Sequence, residues 1–375
     1  MDFDLSDDQQ AIVDLADRML GERLPPEDLR RRERAGEWFA ADMWDELARA
    51  GLLALALPEA HGGAGLGLVD ACLVAEALGR AAAPLPYAPV LGAALAVARY
   101  GTDRQQARLL PPLADGGGPP VAAVHEPAEV AIPPVPGTVA TPAEDGWTLH
   151  GQKVLVSFGP DARALVVPAR TGESTTTVFV IEPGAPGLRF ERQVAMTGEP
   201  QWTAHLDAVA VGRDDVLGDV DGGAAVVAFL EARLIALTCA LQTGVCEGAL
   251  ALTASYVGER EQFGVRLGTF QAVAHRVADT YIDTEGVRLT ARQAAWRLDA
   301  GLDATRELLT AKHWAAEGAQ RVVHAAQHLH GGIGMDLEYP VHRYFRWAKV
   351  LELQLGGATP SLRRLGAALV GAGRP

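Results

Sequence analysis

Apolar residues recur at three- and four-residue spacing through the first third of the chain. Ile12, Leu15, Ala16 and Met19 follow Ser6 in this way, and Asp7 and Asp8 suit the positive end of a helix that Ser6 would cap. Phe39, Met43, Trp44 and Leu47 predict a second helix that stops at Gly51. A loop over residues 57–63 precedes a third, from about 68 to 78, that ends at Gly79. The segment Asp115-Gly116-Gly117-Gly118-Pro119-Pro120 reads as a linker, and past it the helical period disappears. Short β-type runs replace it at 121–124, 147–149, 153–156, 164–167, 175–181 and 202–206, punctuated by Gly and Pro. From Gly222 the helical pattern returns. One long apolar helix is predicted over 222–258, and others over roughly 269–300, 304–328 and 339–355. The pattern predicts an α+β fold in three parts: an N-terminal helical domain (1–117), a central antiparallel sheet or barrel (118–221) and a C-terminal four-helix bundle (222–375).

Composition narrows the function more than the fold. A net charge of −14 disfavours a nucleic-acid partner, since phosphate binding needs a surplus of Lys and Arg. Cys72, Cys239 and Cys246 have no metal-ligand or redox spacing and lie in apolar runs, so they read as small buried hydrophobes in a reducing compartment. The acidic start, Met1-Asp2-Phe3-Asp4, lacks the apolar core of a signal peptide. The Ala-rich stretch 85–98 is too short to span a membrane and contains Pro86 and Pro89. No membrane insertion is expected, and a soluble cytoplasmic protein is.

Two segments have the chemistry of an anion site. Arg260, followed by Gln262 and Phe263, offers a planar fork of donors suited to phosphate oxygens. Gly331, Gly332 and Gly334 allow a backbone to approach a pyrophosphate closely and present free N–H groups. Either alone is equally well explained by a surface ion pair or a helix cap. His324, His328 and His330 form an H-x₃-H-x-H run, but no acid or cysteine accompanies them, so no metal site is assigned.

Four blocks in fixed order carry a resemblance along the whole chain. The first runs from Gly51-Leu52-Leu53 through Pro58-Glu59, His61-Gly62-Gly63 and Gly65-Leu66-Gly67 to Glu76-Ala77-Leu78-Gly79-Arg80. The second is Gly146-Trp147-Thr148-Leu149-His150-Gly151-Gln152-Lys153. The third is Arg260-Glu261-Gln262-Phe263-Gly264 with Leu267 and Phe270-Gln271. The fourth is Leu329-His330-Gly331-Gly332-Ile333-Gly334 with Tyr339-Pro340. Together they resemble the acyl-CoA dehydrogenase family of flavoproteins. The resemblance implies FAD as cofactor, an acyl-CoA or acyl-carrier thioester as substrate, an electron-acceptor flavoprotein as partner, and an oligomer in which subunits share the flavin. It implies cofactor contacts at Arg260, Gln262, Phe263, Leu267, Phe270, Gln271, His328, Gly331 and Gly332. For the flavin ring it points to Ser157 and to His125, with Leu155 where the family carries an aromatic. Arg233 falls where the family has an arginine near the thioester.

The family's reaction removes an α-proton, which requires a positioned carboxylate. Most members place a glutamate just before a glycine near the C-terminus, and Leu355 stands there. A minority place it directly before the arginine on the long helix, and Ala232 stands there. Glu231 is adjacent, but consecutive helical side chains point about 100° apart. The catalytic base is therefore unassigned. Three possibilities stand: the base-less chain of a hetero-oligomer, as in actinobacterial members that include sterol side-chain enzymes; a repurposed homo-oligomer, with a displaced base such as Glu231 or with flavin monooxygenase chemistry; and a catalytically silent flavin-binding scaffold.

Overall fold

The structure is a computed structural model and describes residues 3–372. In chain order the helices and strands begin with α1 (Asp7–Arg23), α2 (Pro26–Ala35), α3 (Ala41–Arg49), α4 (Leu68–Arg80), α5 (Tyr87–Tyr100), α6 (Asp103–Leu109) and α7 (Pro111–Ala114). Eight strands follow: β1 (Pro120–Ala122), β2 (Val139–Ala143), β3 (Gly146–Ser157), β4 (Ala164–Arg170), β5 (Thr176–Ile181), β6 (Leu188–Val194), β7 (Pro200–Gly212) and β8 (Val216–Leu217). The chain continues with α8 (Gly223–Glu259), the hairpin β9 (Glu261–Gln262) and β10 (Val265–Arg266), then α9 (Gln271–Asp299), α10 (Thr305–His330), α11 (Val341–Leu353) and α12 (Ala358–Ala372).

Contacts group the chain into two compact units. One comprises Met1–Trp38, Leu68–Pro84 and Ile235–Pro375, and the other Phe39–Gly67 and Leu85–Leu234.

The first unit is helical. Ser6 caps α1 in a reciprocal capping box with Gln9, as its sequence suggested. Gly79 does not end a helix, contrary to expectation. It lies buried inside α4, where a Cβ would sit 2.0 Å from the Leu241 carbonyl oxygen of α8. Gly244 on α8 answers it, since a Cβ there would sit 1.8 Å from the Glu76 oxygen. The two glycines therefore let the backbones touch, and a charged lattice surrounds the crossing. Arg292 holds buried Glu76 at 2.8 Å, while Arg80 and Arg288 both grip Glu247. Cys239, Cys246 and Cys72 are buried free thiols, as read from the sequence.

In the second unit the strand order is β6-β7-β3-β2-β4-β5-β8, with β1 beside β4. The sheet is mixed, not purely antiparallel: β1 runs parallel to β4, and β2 meets β4 in a parallel bridge. The runs at 147–149 and 153–156 belong to one bulged strand, β3, whose pairing with β7 slips between Leu149 and Gly151 and again between Lys153 and Val156. Bulges of this kind twist a strand and re-aim its side chains.

The long helix α8 spans Gly223–Glu259, close to the range its sequence suggested. It is apolar and long enough to cross a membrane by length and composition, although 61% of its most apolar window is buried inside the protein, as in the core helix of a soluble fold.

Lys312 on α10 is fully buried, and its ammonium donates to the Leu351 and Glu352 carbonyls at 2.9 and 3.0 Å. It caps the last turn of α11, whose carbonyls have no helical partner. Burial pulls the ammonium down to about 8, against the pull of Cys239 and Glu352. Lys312→Met fills the space but leaves the buried Leu351 carbonyl and the part-buried Glu352 carbonyl without this donor. We expect it to lower stability by about 1–3 kcal/mol, read from urea denaturation at pH 7.

Candidate functional site

The end of α8 and the hairpin behind it form the first cluster. Phe263 (φ 56°) and Gly264 (φ 80°) make the two-residue tip between β9 and β10, the left-handed pair that a tight hairpin requires. Glycine adopts that conformation freely, whereas a phenylalanine held there is strained. Phe263 is also 91% exposed, with Phe270 edge-on to it at 6.2 Å. Arg260 is anchored by its backbone, which accepts from Leu267 N at 2.8 Å, and its exposed guanidinium makes no ion pair among the described residues. Gln262 is exposed, and Phe270 and Gln271 sit at the start of α9.

The second cluster is the end of α10. Gly331 (φ 61°, ψ −135°) has a conformation that suits glycine, and a Cβ at Gly331 or Gly332 would meet nothing within 4 Å. These glycines thus leave open space over the backbone instead of relieving an internal clash. His328 is exposed beside them. His330 is buried, stacked on Tyr256 at 4.5 Å and tilted against Tyr339 at 5.1 Å. Its Nδ1 bonds the Ala326 carbonyl at 2.7 Å, and its Nε2 is a buried atom with no partner among the described residues. Tyr256 lies one helical turn before Arg260, so this stack ties the two clusters together. His324 instead packs edge-on to Phe345.

The third cluster lies in the sheet unit. His125 pairs with Val154 through a bridge whose N–H···O distance is 2.9 Å, joining its loop to β3. Burial and then the Lys153 charge push its imidazole down to about 4, so it is neutral at pH 7. Next to it, Glu126 gathers four donors: Gly137 N at 2.5 Å, Thr138 N at 3.0 Å, Thr138 Oγ1 at 2.8 Å and Lys153 Nζ at 2.5 Å. Burial alone would raise the Glu126 carboxyl, but Lys153 and Thr138 outweigh it and hold the group below its usual range. Leu155 has φ 56° and is partly exposed where β3 bulges, while Ser157 two residues on is buried.

Glu199, which sequence reasoning did not select, accepts from Ser157 Oγ at 2.9 Å and from Gln201 Nε2 at 3.3 Å. Burial raises its carboxyl to about 7 against those two hydrogen bonds. No local signal marks it, because one acid in the polar turn Thr197-Gly198-Glu199-Pro200 resembles any surface residue.

Both expected base positions are apolar. Leu355 is buried with φ 58° and ψ 27°, followed by Gly356 (φ 111°) and Gly357 (φ 60°). The sharp loop is therefore present without a carboxylate at its apex. Ala232 is half-buried on α8, and Glu231 is half-buried one residue before it. Arg233 folds back along its own helix, with its guanidinium 3.5 Å from the Phe229 ring centre and Nη1 3.4 Å from the Phe229 carbonyl.

Comparison with known proteins agrees with this arrangement. Residues 6–117 match the acyl-CoA dehydrogenase N-terminal domain and residues 223–369 the acyl-CoA dehydrogenase C-terminal domain. The acyl-CoA dehydrogenase FadE27 of Mycobacterium tuberculosis is 38% identical over 98% of both chains. A chain from a variant of the Tcur3481–Tcur3483 steroid ACAD superposes with TM-score 0.89 at 40% identity, covering 97% of this chain and 98% of that one. A chain of the ChsE4–ChsE5 complex from Mycobacterium tuberculosis superposes with TM-score 0.91 at 36% identity over the full length of both. With the two domain matches and a relative of this identity over nearly its whole length, the chain belongs to the acyl-CoA dehydrogenase family of flavin-dependent oxidoreductases.

Proposed function

We propose that this chain is the base-less subunit of a hetero-oligomeric, FAD-dependent acyl-CoA dehydrogenase whose substrate is the CoA thioester of a steroid-type side chain. One observation carries the reading. The loop that would present the base keeps its three successive positive-φ residues but bears buried Leu355, while Ala232 fills the alternative position. The steroid assignment rests on the similarity to the steroid ACAD chain, and the pairing with a second chain on the two-component complexes.

The residues fit FAD. Arg260 offers a guanidinium with no ion pair among the described residues, Gly331 and Gly332 leave open space over their backbone, and Phe263 presents an aromatic face held outward at strain. That is the donor and stacking set of a dinucleotide with two phosphates. On the sheet, Ser157 supplies a hydroxyl to the ring and Leu155 an apolar surface beside it. Bound FAD supplies the two-electron acceptor for the substrate's β-hydride. His125, neutral at pH 7, would add polarity without charge where its loop joins β3. The α-proton would go to a carboxylate of the partner chain, and an electron-transfer flavoprotein would collect the electrons.

The test is to produce the chain alone and together with a similar chain that has a glutamate at the Leu355 position, then record native mass and visible spectrum. Stoichiometric flavin in a mixed complex, and little in the chain alone, is the expected result. A fully yellow homo-oligomer that turns over acyl-CoA by itself would overturn the reading.

A further inference from the structure

Ser157 has one hydroxyl proton, and the structure gives that proton two destinations. Its Oγ lies 2.9 Å from Glu199 Oε1, both groups being buried, and Ser157 pairs in register with Gln201 across β3 and β7. The other carboxylate oxygen, Oε2, already accepts from Gln201 Nε2. If Glu199 carries a proton, that proton therefore belongs on Oε1, facing the serine. An ionised carboxylate can only accept, so Ser157 must then donate inward, and its oxygen offers only lone pairs to anything outside. A protonated Glu199 donates to Ser157 instead, and the serine proton is free to point outward.

We propose that Glu199 is a positioning residue for the flavin: its protonation state sets whether the Ser157 hydroxyl donates into the protein or out to the ring, which links FAD binding to proton uptake at Glu199. The inference rests on the assignment of Ser157 as a flavin contact.

The surroundings support such a switch. No basic side chain pairs with Glu199 among the described residues. Its neighbours on β3 and β7 are the neutral Ser157 and Gln201. On β6, which pairs with β7, Gln193 lies opposite Gln201 and Val194 opposite Pro200. Arg192 and Glu191 of that strand are exposed, and Glu191 engages His205. Lys153, further back on β3, is committed to Glu126. Burial without a counter-charge favours the neutral carboxyl and moves its titration to about 7, within the working range of most enzymes. Above that pH the outward donor is lost. The oxidised isoalloxazine edge, with acceptors at N5 and O4, then binds less well.

The experiment measures the FAD dissociation constant by flavin fluorescence from pH 6 to 8.5, using the assembled protein with its partner chain. Wild type, Glu199→Gln and Ser157→Ala are compared. In the wild type the constant should rise about fivefold across this range, the effect of one neutral hydrogen bond. Glu199→Gln can donate its amide to Ser157 at every pH. It should stay flat at the wild-type low-pH value, which a purely structural carboxyl would not predict. Ser157→Ala should be weaker throughout, by about fivefold at pH 6, and flat, even with Glu199 in place. A flat wild type, or an unchanged slope in Glu199→Gln, overturns the proposal while the weakened Ser157→Ala keeps the flavin contact. Unchanged affinity in Ser157→Ala removes the contact and the proposal with it. Should Glu199→Gln not fold, the slope of wild type against that of Ser157→Ala decides alone.

Discussion

Dehydrogenation by the chain alone is expected to run about 10²–10⁴-fold slower than by its complex with a base-bearing partner, the usual cost of losing a general base. The α-proton of a thioester is weakly acidic, and removing it needs a carboxylate at the carbon as well as donors on the carbonyl oxygen. Here the side chain at one base position is Leu355, buried and left-handed, and at the other it is Ala232. Neither can accept a proton. Two substitutions locate the base in the complex, each followed in a dye-coupled assay with a steroid-type acyl-CoA. Mutating the partner's glutamate to glutamine should abolish the acceleration. Glu231→Gln in this chain should change the rate less than about twofold, because Glu231 lies about 100° around α8 from Ala232. A hundredfold loss on Glu231→Gln would instead make Glu231 the base and the chain self-sufficient. Installing a glutamate at Leu355 is a poor substitute for the partner, since that side chain is enclosed and a lone buried carboxylate resists ionisation.

The same contrast between pattern and environment explains how far the sequence could be read. Helices with one apolar stripe were legible, and α1 shows why: its cap, its first-turn acids and its period agree. Helix α2, Pro-Glu-Asp-Leu-Arg-Arg-Arg-Glu-Arg-Ala, buries only Leu29 and Arg32, so no apolar period announced it. Strand β6 was missed for the same reason, being almost wholly solvent-facing. Gly79 reads as a stop because a glycine at a helix end and one at a backbone crossing look identical in sequence; only Leu241 and Gly244, far later in the chain, distinguish them. At the site, residue types carried the anion-binding segments, since arginine and clustered glycines announce their chemistry. Glu199 was invisible because its importance lies in what surrounds it. Burial and a serine 42 positions earlier in the chain turn an ordinary acid into a titrating group. The strain at Phe263 and Leu155 was equally hidden, because a positive φ leaves no mark on a phenylalanine or leucine.

Glu126→Ala should cost about 3–5 kcal/mol of stability, the range for stripping one partner from a buried ion pair. The substitution strands Lys153, which is fully buried and whose ammonium burial already pulls down to about 8 against the support of Glu126. It also frees the N–H groups of Gly137 and Thr138 and the Thr138 hydroxyl, three donors that all bond to Glu126. These donors close the loop between Glu126 and Thr138 onto β3, and His125 sits at its start. Cofactor affinity should therefore fall together with the urea midpoint, and FAD should leave the variant at lower denaturant than it leaves the wild type. A double variant separates charge from architecture. In Glu126→Gln with Lys153→Met no charge is stranded, and the glutamine oxygen at the Oε1 position still accepts from Thr138 N and Thr138 Oγ1, while only the Gly137 N–H loses its acceptor. Most of the lost stability should return, as it does when a buried ion pair is replaced by groups of similar volume. If the double variant is as unstable as Glu126→Ala, the ion pair itself holds this loop, and its charge is indispensable to the flavin side of the sheet.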